Sequence, residues 1–273
     1  MADYILDNFK QKNDIDLIHL TPVLQSHSPN GNSPEVVNCE VKGLLNKLTT
    51  EEFGLISDQV IEWANKSENE KDARTLVQVI EIVFEKAKDE ESADIYARLC
   101  LKMMEQLSPK IQDDGIKDVD GKLIIGGRLF RKYLLNRCQE AFERGWVPKD
   151  AAASAKGKST GDGEAALYSD EYYAAQKAKR QGLGLIKFIG ELFKLQMLTE
   201  RIMHECMKKL LGNIDNPEED EIEMLCTLLS TVGDRLDNKK AKAHMDMYFR
   251  RMKKLARSSH VSIHAKGILD VRA

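Results

Sequence analysis

The segment from Arg180 to Leu211 constrains the fold most, because it holds two amphipathic helical patterns in succession. Apolar residues recur at spacings of three and four in both halves, as on one face of an α-helix. The first stripe consists of Leu185, Ile189, Leu192 and Phe193, and the second of Ile202, Met203, Cys206 and Leu210. Thr199 lies between them and is a predicted N-cap whose hydroxyl accepts a backbone hydrogen bond. Neither helix can bury its stripe alone, so the segment predicts a helical hairpin packed on further hairpins.

The remainder of the chain shows the same helical spacing of apolar residues. Aromatic residues make up only 6% of the chain, which favours helices over a β-sandwich or barrel. Helical patterns cover residues 35–48, 49–66, 71–88, 94–107, 123–144, 169–194, 199–211, 217–236 and 238–257. Helix pairs of about 40 to 47 residues are typical of HEAT repeats. The sequence therefore predicts an all-α fold, a HEAT-type α-solenoid of about five antiparallel helix pairs.

Four segments lack a helical pattern and set the predicted domain limits. Residues 1–34 contain three of the six prolines and predict a flexible N-terminal arm. Residues 108–122, rich in Gly and Asp, are expected to form a loop. Residues 148–166 are dominated by small side chains and predict an internal disordered loop. The repeat domain is thus expected over 35–258, followed by a C-terminal tail over 259–273.

Composition also limits the class of protein. No run of about 18 apolar residues is present, so no membrane span is predicted. The N-terminus has no apolar stretch of the kind found in secretory signals. The five cysteines are odd in number and widely spaced, which predicts reduced and mostly buried thiols in a cytoplasmic protein.

Charge is unevenly distributed along the chain, although the formal net charge is only −3. Residues 35–114 contain 10 basic and 18 acidic side chains, a net charge of −8. Residues 234–257 contain 9 basic and 3 acidic side chains, a net charge of +6. The two regions are therefore expected to attract different surfaces.

Two fragments resemble nucleotide-binding motifs but lack required glycines. The Gly-Lys-Ser that ends at Ser159 would need a glycine at position 152, which is Ala152. Gly182 and Gly184 would need a third glycine where Lys187 stands, and no strand precedes them. No nucleotide cofactor is therefore predicted.

Histidine spacing is equally incomplete for a metal site. His204 and Glu205 begin a zinc-protease pattern, but Lys208 occupies the position of the second histidine. His260 and His264 are four residues apart without an evident third ligand. No catalytic residue, metal or cofactor is predicted, and the chain is interpreted as a binding protein rather than an enzyme.

A family resemblance rests on several motifs in order. These are VKGLLNKLT from Val41, DIYARLC from Asp94, LLNRCQEAFERGW from Leu134, YYAAQKAKRQGLGL from Tyr172 and KFIGELFKLQMLT from Lys187. Together they resemble the middle domain of eukaryotic translation initiation factor 4 gamma over roughly residues 41–255. The resemblance implies a crescent of five helix pairs and a role in translation initiation, an early step of protein biosynthesis.

The resemblance also implies a principal partner, the DEAD-box RNA helicase eukaryotic initiation factor 4A. In this family the first repeats bind one helicase lobe and the last repeats the other, which stimulates ATP hydrolysis and unwinding. The candidate residues for the first contact are Asn46, Lys47, Asp89, Glu90 and Glu91. The candidate residues for the second contact are Arg235, Lys239, Lys240 and Lys242.

RNA, in particular mRNA, is the second partner that the resemblance implies. Two basic clusters are candidates for sequence-independent phosphate contacts. The first consists of Lys177, Lys179, Arg180 and Lys187, and the second of Arg250, Arg251, Lys253, Lys254 and Arg257. Both clusters are also compatible with solvated helix faces.

Other functions within the same fold remain open. The alternative is a stand-alone RNA-binding or competitor adaptor that acts in translation control or mRNA decay. The multi-subunit initiation factor 3 complex is a further partner compatible with the resemblance. The cap-binding subunit is not expected to bind, because its Tyr-x4-Leu motif is absent: Tyr4 is followed by Phe9 and Lys10.

Overall fold

The computed structural model describes residues 33–88, 93–144, 170–212, 219–236 and 238–257. These ranges contain nine α-helices, a short 3-10 helix at Lys66–Asn69 and two β-strands. The helices are α1 (Pro34–Leu45), α2 (Phe53–Asn65), α3 (Arg74–Ala87), α4 (Ala93–Gln106), α5 (Gly126–Arg144), α6 (Asp170–Lys194), α7 (Glu200–Leu210), α8 (Glu219–Leu236) and α9 (Lys242–Ala256). The predicted all-α class is confirmed.

Several predictions fall on residues that the structure does not describe. These are the arm up to residue 32, the internal segment 148–166, the tail 259–273 and the acidic turn Asp89, Glu90 and Glu91. The described part of the chain divides into two compact units. One unit comprises residues up to Lys86 together with Arg98–Arg137, and the other comprises Ala87–Ala97 together with residues from Cys138 onward.

The first helix begins with the cap that its sequence encodes. The Ser33 hydroxyl accepts a hydrogen bond from the Val36 amide at 3.4 Å, and Pro34 occupies the first turn, where its missing N–H costs nothing. Buried side chains then follow at a spacing of four, and this stripe packs against α2. The buried residues of α1 are Val37, Val41 and Leu45.

The next two helices also follow their sequence patterns. Thr49 Oγ1 accepts from the Glu52 amide at 3.2 Å, and α2 begins at Phe53, with Glu52 as an N-cap residue whose side chain makes no capping hydrogen bond. The apolar residues that recur at helical spacing along α3 are buried. They are Leu76, Ile80, Val83, Phe84 and Ala87.

Between α4 and α5 the structure corrects the sequence prediction. The expected loop and the expected helix start at Leu123 instead form an antiparallel hairpin of β1 (Gln112–Lys117) and β2 (Leu123–Ile125). Ile111, just before β1, and Ile116, within β1, are buried. Ile116 is the single apolar residue of β1, and β2 is only three residues long, so neither strand shows a strand period in the sequence.

Two glycines explain why α5 begins at Gly126 and not at Leu123. Gly126 has φ +56°, a left-handed conformation that side-chain-bearing residues rarely adopt, and its amide donates to Ile111 O at 2.8 Å. Gly127 follows in close contact with α4, because a Cβ atom there would lie 1.8 Å from the carbonyl oxygen of Met104. The backbone therefore turns between strand and helix at this pair of residues.

The second unit is built on the 25-residue helix α6, which packs along α8 and also contacts α7. Close packing of α6 and α8 depends on Gly190, where an added Cβ would lie 2.7 Å from Thr231 Cγ2. Phe193 is buried, as its place in the predicted stripe requires, and Phe188 is buried as well. Tyr173, near the start of α6, is 56% exposed.

Two details of α7 differ from the prediction. Thr199 is the N-cap residue, but its side chain makes no capping hydrogen bond. Ile202 is only partly buried, and Met207 completes the buried face instead, together with Met203, Cys206 and Leu210. The buried face is thus rotated slightly from the predicted stripe.

All five cysteines are free thiols, and the prediction that most are buried is confirmed. Cys100, Cys138, Cys206 and Cys226 are buried, and Cys39 is exposed. Burial raises the pKa of the Cys206 thiol to about 12, so this residue is protonated and unreactive at neutral pH. Within the described ranges, no helix has the length and apolarity needed to cross a membrane.

Candidate protein and RNA contact surfaces

The first candidate contact lies where α1 ends. Asn46 is the C-cap residue, and its side-chain oxygen accepts a hydrogen bond from Lys86 Nζ at the end of α3. The Lys47 amide donates to Leu44 O at 2.9 Å, and its side chain is exposed to solvent. Asn46 therefore connects two helices, whereas Lys47 offers a charged side chain to a partner.

The second candidate contact lies at the α8–α9 connection. Arg235 is exposed in the last turn of α8, and Lys239, Lys240 and Lys242 are exposed within the next seven residues. None of the four makes an ion pair with another described residue. Asn238 fixes this connection, since its Oδ1 accepts from the amides of Lys240 and Ala241 at 3.0 Å each.

Lys179 differs from the other members of the first basic cluster. Its Nζ lies 2.7 Å from Glu223 Oε2 and 3.1 Å from Asp220 Oδ1, so it connects α6 to α8. Partial burial lowers the pKa of Lys179, but hydrogen bonds to Glu223 and Asp220 outweigh burial and raise it overall. Its charge is therefore already compensated within the unit.

The rest of the first cluster is spread along α6. Lys177 and Arg180 are exposed, and Lys187 is partly buried. Lys177 and Lys187 are separated by ten residues, or about 15 Å along the helix axis. The cluster is therefore a loose row of charges and not a compact site.

The second basic cluster forms a continuous stripe on α9. The stripe starts at Arg250 and continues three, four and seven residues later with Lys253, Lys254 and Arg257, a spacing that places all four on one face of the helix. All four are exposed, and none forms an ion pair with any residue in the described ranges. Arg250 Nε donates to the Asp246 carbonyl at 3.2 Å, and Arg251 is partly buried beside the stripe. This arrangement leaves several positive charges available to an anionic partner.

An aromatic contact between α7 and α9 was not predicted from the sequence. The rings of His204 and His244 have centroids 4.9 Å apart, and His204 Nδ1 lies 3.2 Å from the hydroxyl of Tyr248. Burial lowers the pKa of His204, and the nearby His244 lowers it further. Forty residues separate the two histidines in the chain, so no local motif could have revealed the pair.

These two histidines line an open pit of about 380 Å³ at the surface. From α7 the pit is lined by Glu200, Arg201, His204, Glu205 and Lys208. On the opposite side it is lined by His244 of α9 and by the preceding Lys240. The pit therefore includes one residue, Lys240, that the sequence had suggested as a helicase contact.

Sequence comparisons place these surfaces in the context of known proteins. The profile described as "MIF4G domain" matches residues 40–270. The chain is 52% identical over 238 residues to "Eukaryotic translation initiation factor 4 gamma" of Schizosaccharomyces pombe, an alignment that covers 86% of this chain and 16% of the relative. It is 43% identical over 208 residues to "Eukaryotic initiation factor 4F subunit p130" of Saccharomyces cerevisiae, covering 76% of this chain and 22% of the relative. The chain thus spans less than a quarter of the length of these relatives.

More distant relatives match over a similar range. "Eukaryotic translation initiation factor 4 gamma 3" of Homo sapiens is 37% identical over 262 residues, covering 91% of this chain and 15% of the relative. The crystal structure of the MIF4G domain of the Trypanosoma cruzi translation initiation factor EIF4G5 aligns with a TM-score of 0.48 and 16% identity, covering 86% of this chain and 93% of that one.

Proposed function

The chain belongs to the MIF4G domain family, and from this membership we propose that it is a scaffold domain of translation initiation which binds both lobes of eukaryotic initiation factor 4A. The match over residues 40–270 carries the proposal. This match agrees with the resemblance of the sequence motifs to eukaryotic translation initiation factor 4 gamma. The comparisons confirm that resemblance.

Two separate surfaces support contact with a two-lobed partner. Lys47 is exposed in one compact unit, and the basic connection around Lys240 is exposed in the other. Neither surface needs a change in its own unit to become accessible. Each therefore provides charged side chains that a separate helicase lobe can meet.

Tethering gives such a scaffold its effect without any reaction centre. Once one lobe is bound, the second contact forms within the complex, so two weak contacts reach a useful total affinity. A scaffold that favours a half-open arrangement of the lobes speeds ATP entry and product release. The helicase hydrolyses ATP, and the scaffold selects the conformation of the helicase.

RNA contact is the second part of the proposal, and the stripe on α9 supports it best. Exposed Arg and Lys side chains at helical spacing neutralise phosphates without reading bases. The unpaired residues of the stripe are better suited to this role than Lys179, whose charge is compensated by Asp220 and Glu223. Initiation takes place on cytoplasmic mRNA, which would be the natural target of this surface.

Titration of helicase ATPase activity with the purified chain tests the proposal. We expect RNA-dependent ATP hydrolysis by eukaryotic initiation factor 4A to rise and saturate at micromolar chain concentrations. The same titration at 50 and 200 mM salt separates the RNA contribution, which weakens steeply with salt. An unchanged rate at all concentrations would contradict the scaffold role.

A further inference from the structure

We propose that the pit between α7 and α9 receives an acidic side chain of the protein partner, and that protonation of His204 strengthens this contact. The inference rests on the proposed scaffold function and specifies how one of its surfaces recognises the partner. It goes beyond charge attraction around Lys240, because it assigns a defined pit, a chemical group and a proton-linked affinity.

The charges of the pit are not balanced by its own carboxylates. Glu205 is held by Lys208, with Oε1 2.9 Å from Nζ. Glu200 Oε1 accepts from Asn238 Nδ2 at 3.0 Å. Both carboxylates therefore already have partners.

The cations of the pit remain in excess over these two acids. Arg201 and Lys240 are exposed and make no ion pair with any residue that the structure describes. With neutral histidines, three permanent cations face two carboxylates, so the formal charge is +1, and it reaches +2 when the His204 ring is protonated. The pit thus attracts an anion, and does so more strongly when His204 takes up a proton.

Hydrogen bonding assigns the protonation pattern of His204. The Tyr248 hydroxyl donates to the His204 carbonyl at 3.4 Å, which leaves its oxygen to accept from His204 Nδ1 at 3.2 Å. Nδ1 then carries the proton of the neutral ring, and Nε2 is the nitrogen that becomes a donor on protonation. A carboxylate in the pit provides an acceptor for this new donor.

Charged groups on both elements determine when this protonation occurs. Burial lowers the pKa of His204, and the neighbouring His244 lowers it further. On α7, Lys208 also lowers it, whereas Glu200 and Glu205 raise it. On α9, Arg251 lies near the Tyr248 hydroxyl, and Lys240 lies before the helix across the pit. A bound carboxylate counteracts the effect of the cationic groups and raises the pKa of His204. Binding is therefore coupled to proton uptake.

Geometry favours a protein carboxylate over an RNA phosphate. An RNA strand carries phosphates at regular intervals and is better matched by a continuous basic stripe such as that on α9. The pit is a single depression whose lining includes Glu200 and Glu205. Its lining is therefore better matched to one carboxylate side chain than to a row of phosphates.

A peptide titration tests the pit without the helicase. Hexaglutamate added to the full chain is expected to shift the ring proton resonances of His204 and His244, whereas hexalysine leaves them unchanged. The single variants Arg201→Gln and Lys240→Gln should weaken the hexaglutamate response by up to about fivefold, since each removes one uncompensated but exposed charge. Both residues are exposed, so loss of folding is not expected to interfere. Resonances that do not move with hexaglutamate would overturn the proposal.

A second measurement uses the helicase and tests proton linkage. Affinity of eukaryotic initiation factor 4A for the chain at pH 8, 7 and 6 should rise about threefold as the pH falls, because a bound carboxylate raises the pKa of His204. The double variant His204→Gln with His244→Gln should lose most of this rise, whereas Lys117→Gln on the hairpin should keep it. Calorimetry in two buffers of different ionisation enthalpy should show proton uptake in the wild type only.

The outcomes distinguish this inference from the proposed function. Helicase binding with an unchanged pH dependence in the double variant overturns the role of the pit and leaves the scaffold function intact. Failure of the helicase to bind at any pH overturns the scaffold function, while the hexaglutamate titration still decides whether the pit binds carboxylates. If the histidine and Lys240 variants change affinity for single-stranded RNA and not for the helicase, the assignment to a protein carboxylate is wrong.

Discussion

Lysine residues with similar sequence surroundings differ sharply in how much charge they offer to a partner. Lys179 lies within 3.1 Å of two carboxylates, so RNA could engage it only by breaking both ion pairs. Lys254 is exposed on α9 and makes no ion pair with any other residue in the described ranges. The composition of a basic cluster therefore overstates its usable charge.

This difference predicts unequal effects of two matched substitutions on RNA binding. Lys254→Gln should weaken binding of single-stranded RNA and reduce the slope of log affinity against log salt by about 0.7, because one phosphate contact is lost. Lys179→Gln should leave both quantities nearly unchanged. Fluorescence anisotropy between 50 and 200 mM salt measures both. Equal losses in the two variants would show that RNA displaces the Lys179 ion pairs.

His204 should make stability depend on pH in a defined window. Its pKa in the folded chain lies below the ordinary value of 6.5, because burial and then His244 disfavour the charged ring. As the pH falls below 6.5, the unfolded chain takes up this proton first, so folding stability decreases until the folded-state pKa is passed. Above this window the histidine has no effect.

The melting temperature of the variant His204→Gln should therefore fall less than that of the wild type when the pH is lowered from 7.5 to 5.5. Glutamine retains a polar side chain near Tyr248 without titrating. Thermal unfolding followed by circular dichroism measures the difference. Substitution of His264, in the tail, by Gln provides a control histidine distant in sequence. Parallel curves for wild type and His204→Gln would contradict a lowered pKa.

Packing of α5 on α4 depends on a residue without a side chain. A Cβ atom at Gly127 would lie 1.8 Å from Met104 O and 2.8 Å from its carbonyl carbon, and backbone atoms cannot rotate away as a side chain would. We therefore expect Gly127→Ala to destabilise the chain by at least about 3 kcal/mol, at the upper end of overpacking effects. Urea unfolding measures this loss.

Gly43 provides a matched control for that substitution. It also lies inside a helix, α1, but a Cβ atom there meets nothing within 4 Å. Gly43→Ala should stabilise the chain by about 0.5 to 1 kcal/mol, because alanine loses less conformational freedom in a helix. If both variants unfold at the same urea concentration, α4 and α5 are not packed as closely as described.

Helices could be predicted from the sequence where one face is buried against a neighbour. The stripe of α3, from Leu76 to Ala87, is a clear example, since every apolar residue at helical spacing is buried. The hydrogen bond from the Glu52 amide to Thr49 just before α2 could likewise be predicted, because it joins residues only three apart. These features depend on local spacing, which the chain displays directly.

Features that depend on distant residues could not be predicted in this way. The hairpin is held by backbone bonds to other segments, such as that from the Asp114 amide to Lys71 O at 2.9 Å. Tyr173 sits at helical spacing with apolar residues, yet no described element covers its side chain enough to bury it. The pit requires His204 and His244 to meet across two helices. In each case the conformation or burial of a residue depends on contacts with residues distant in the sequence. The local pattern does not indicate where those residues lie.

For the whole molecule, the two charged stretches of the chain lie in different units. The acidic excess over residues 35–114 lies largely in one unit, and the basic excess over 234–257 lies in the other. The basic stretch contains one of the two candidate helicase contacts, so RNA that binds this stretch competes for that contact alone.

Simultaneous use of both contacts leads to a prediction about activity at saturation. Lys47→Glu and Lys240→Glu each reverse one charge in a different unit, so each should weaken helicase binding about tenfold by like-charge repulsion. Each single variant still binds through its remaining contact. Because the arrangement of the two lobes is set only when both are held, saturating amounts of either variant should fail to restore full ATPase stimulation.

The double variant and a matched control complete this test. Lys47→Glu combined with Lys240→Glu should abolish measurable binding, whereas Lys117→Glu, at another exposed lysine on the hairpin, should behave like the wild type. ATPase rates are measured against chain concentration up to saturation, which is verified by an independent binding assay. If either single variant reaches the wild-type rate at saturation, its contact contributes affinity alone, and stimulation does not depend on holding both lobes at once.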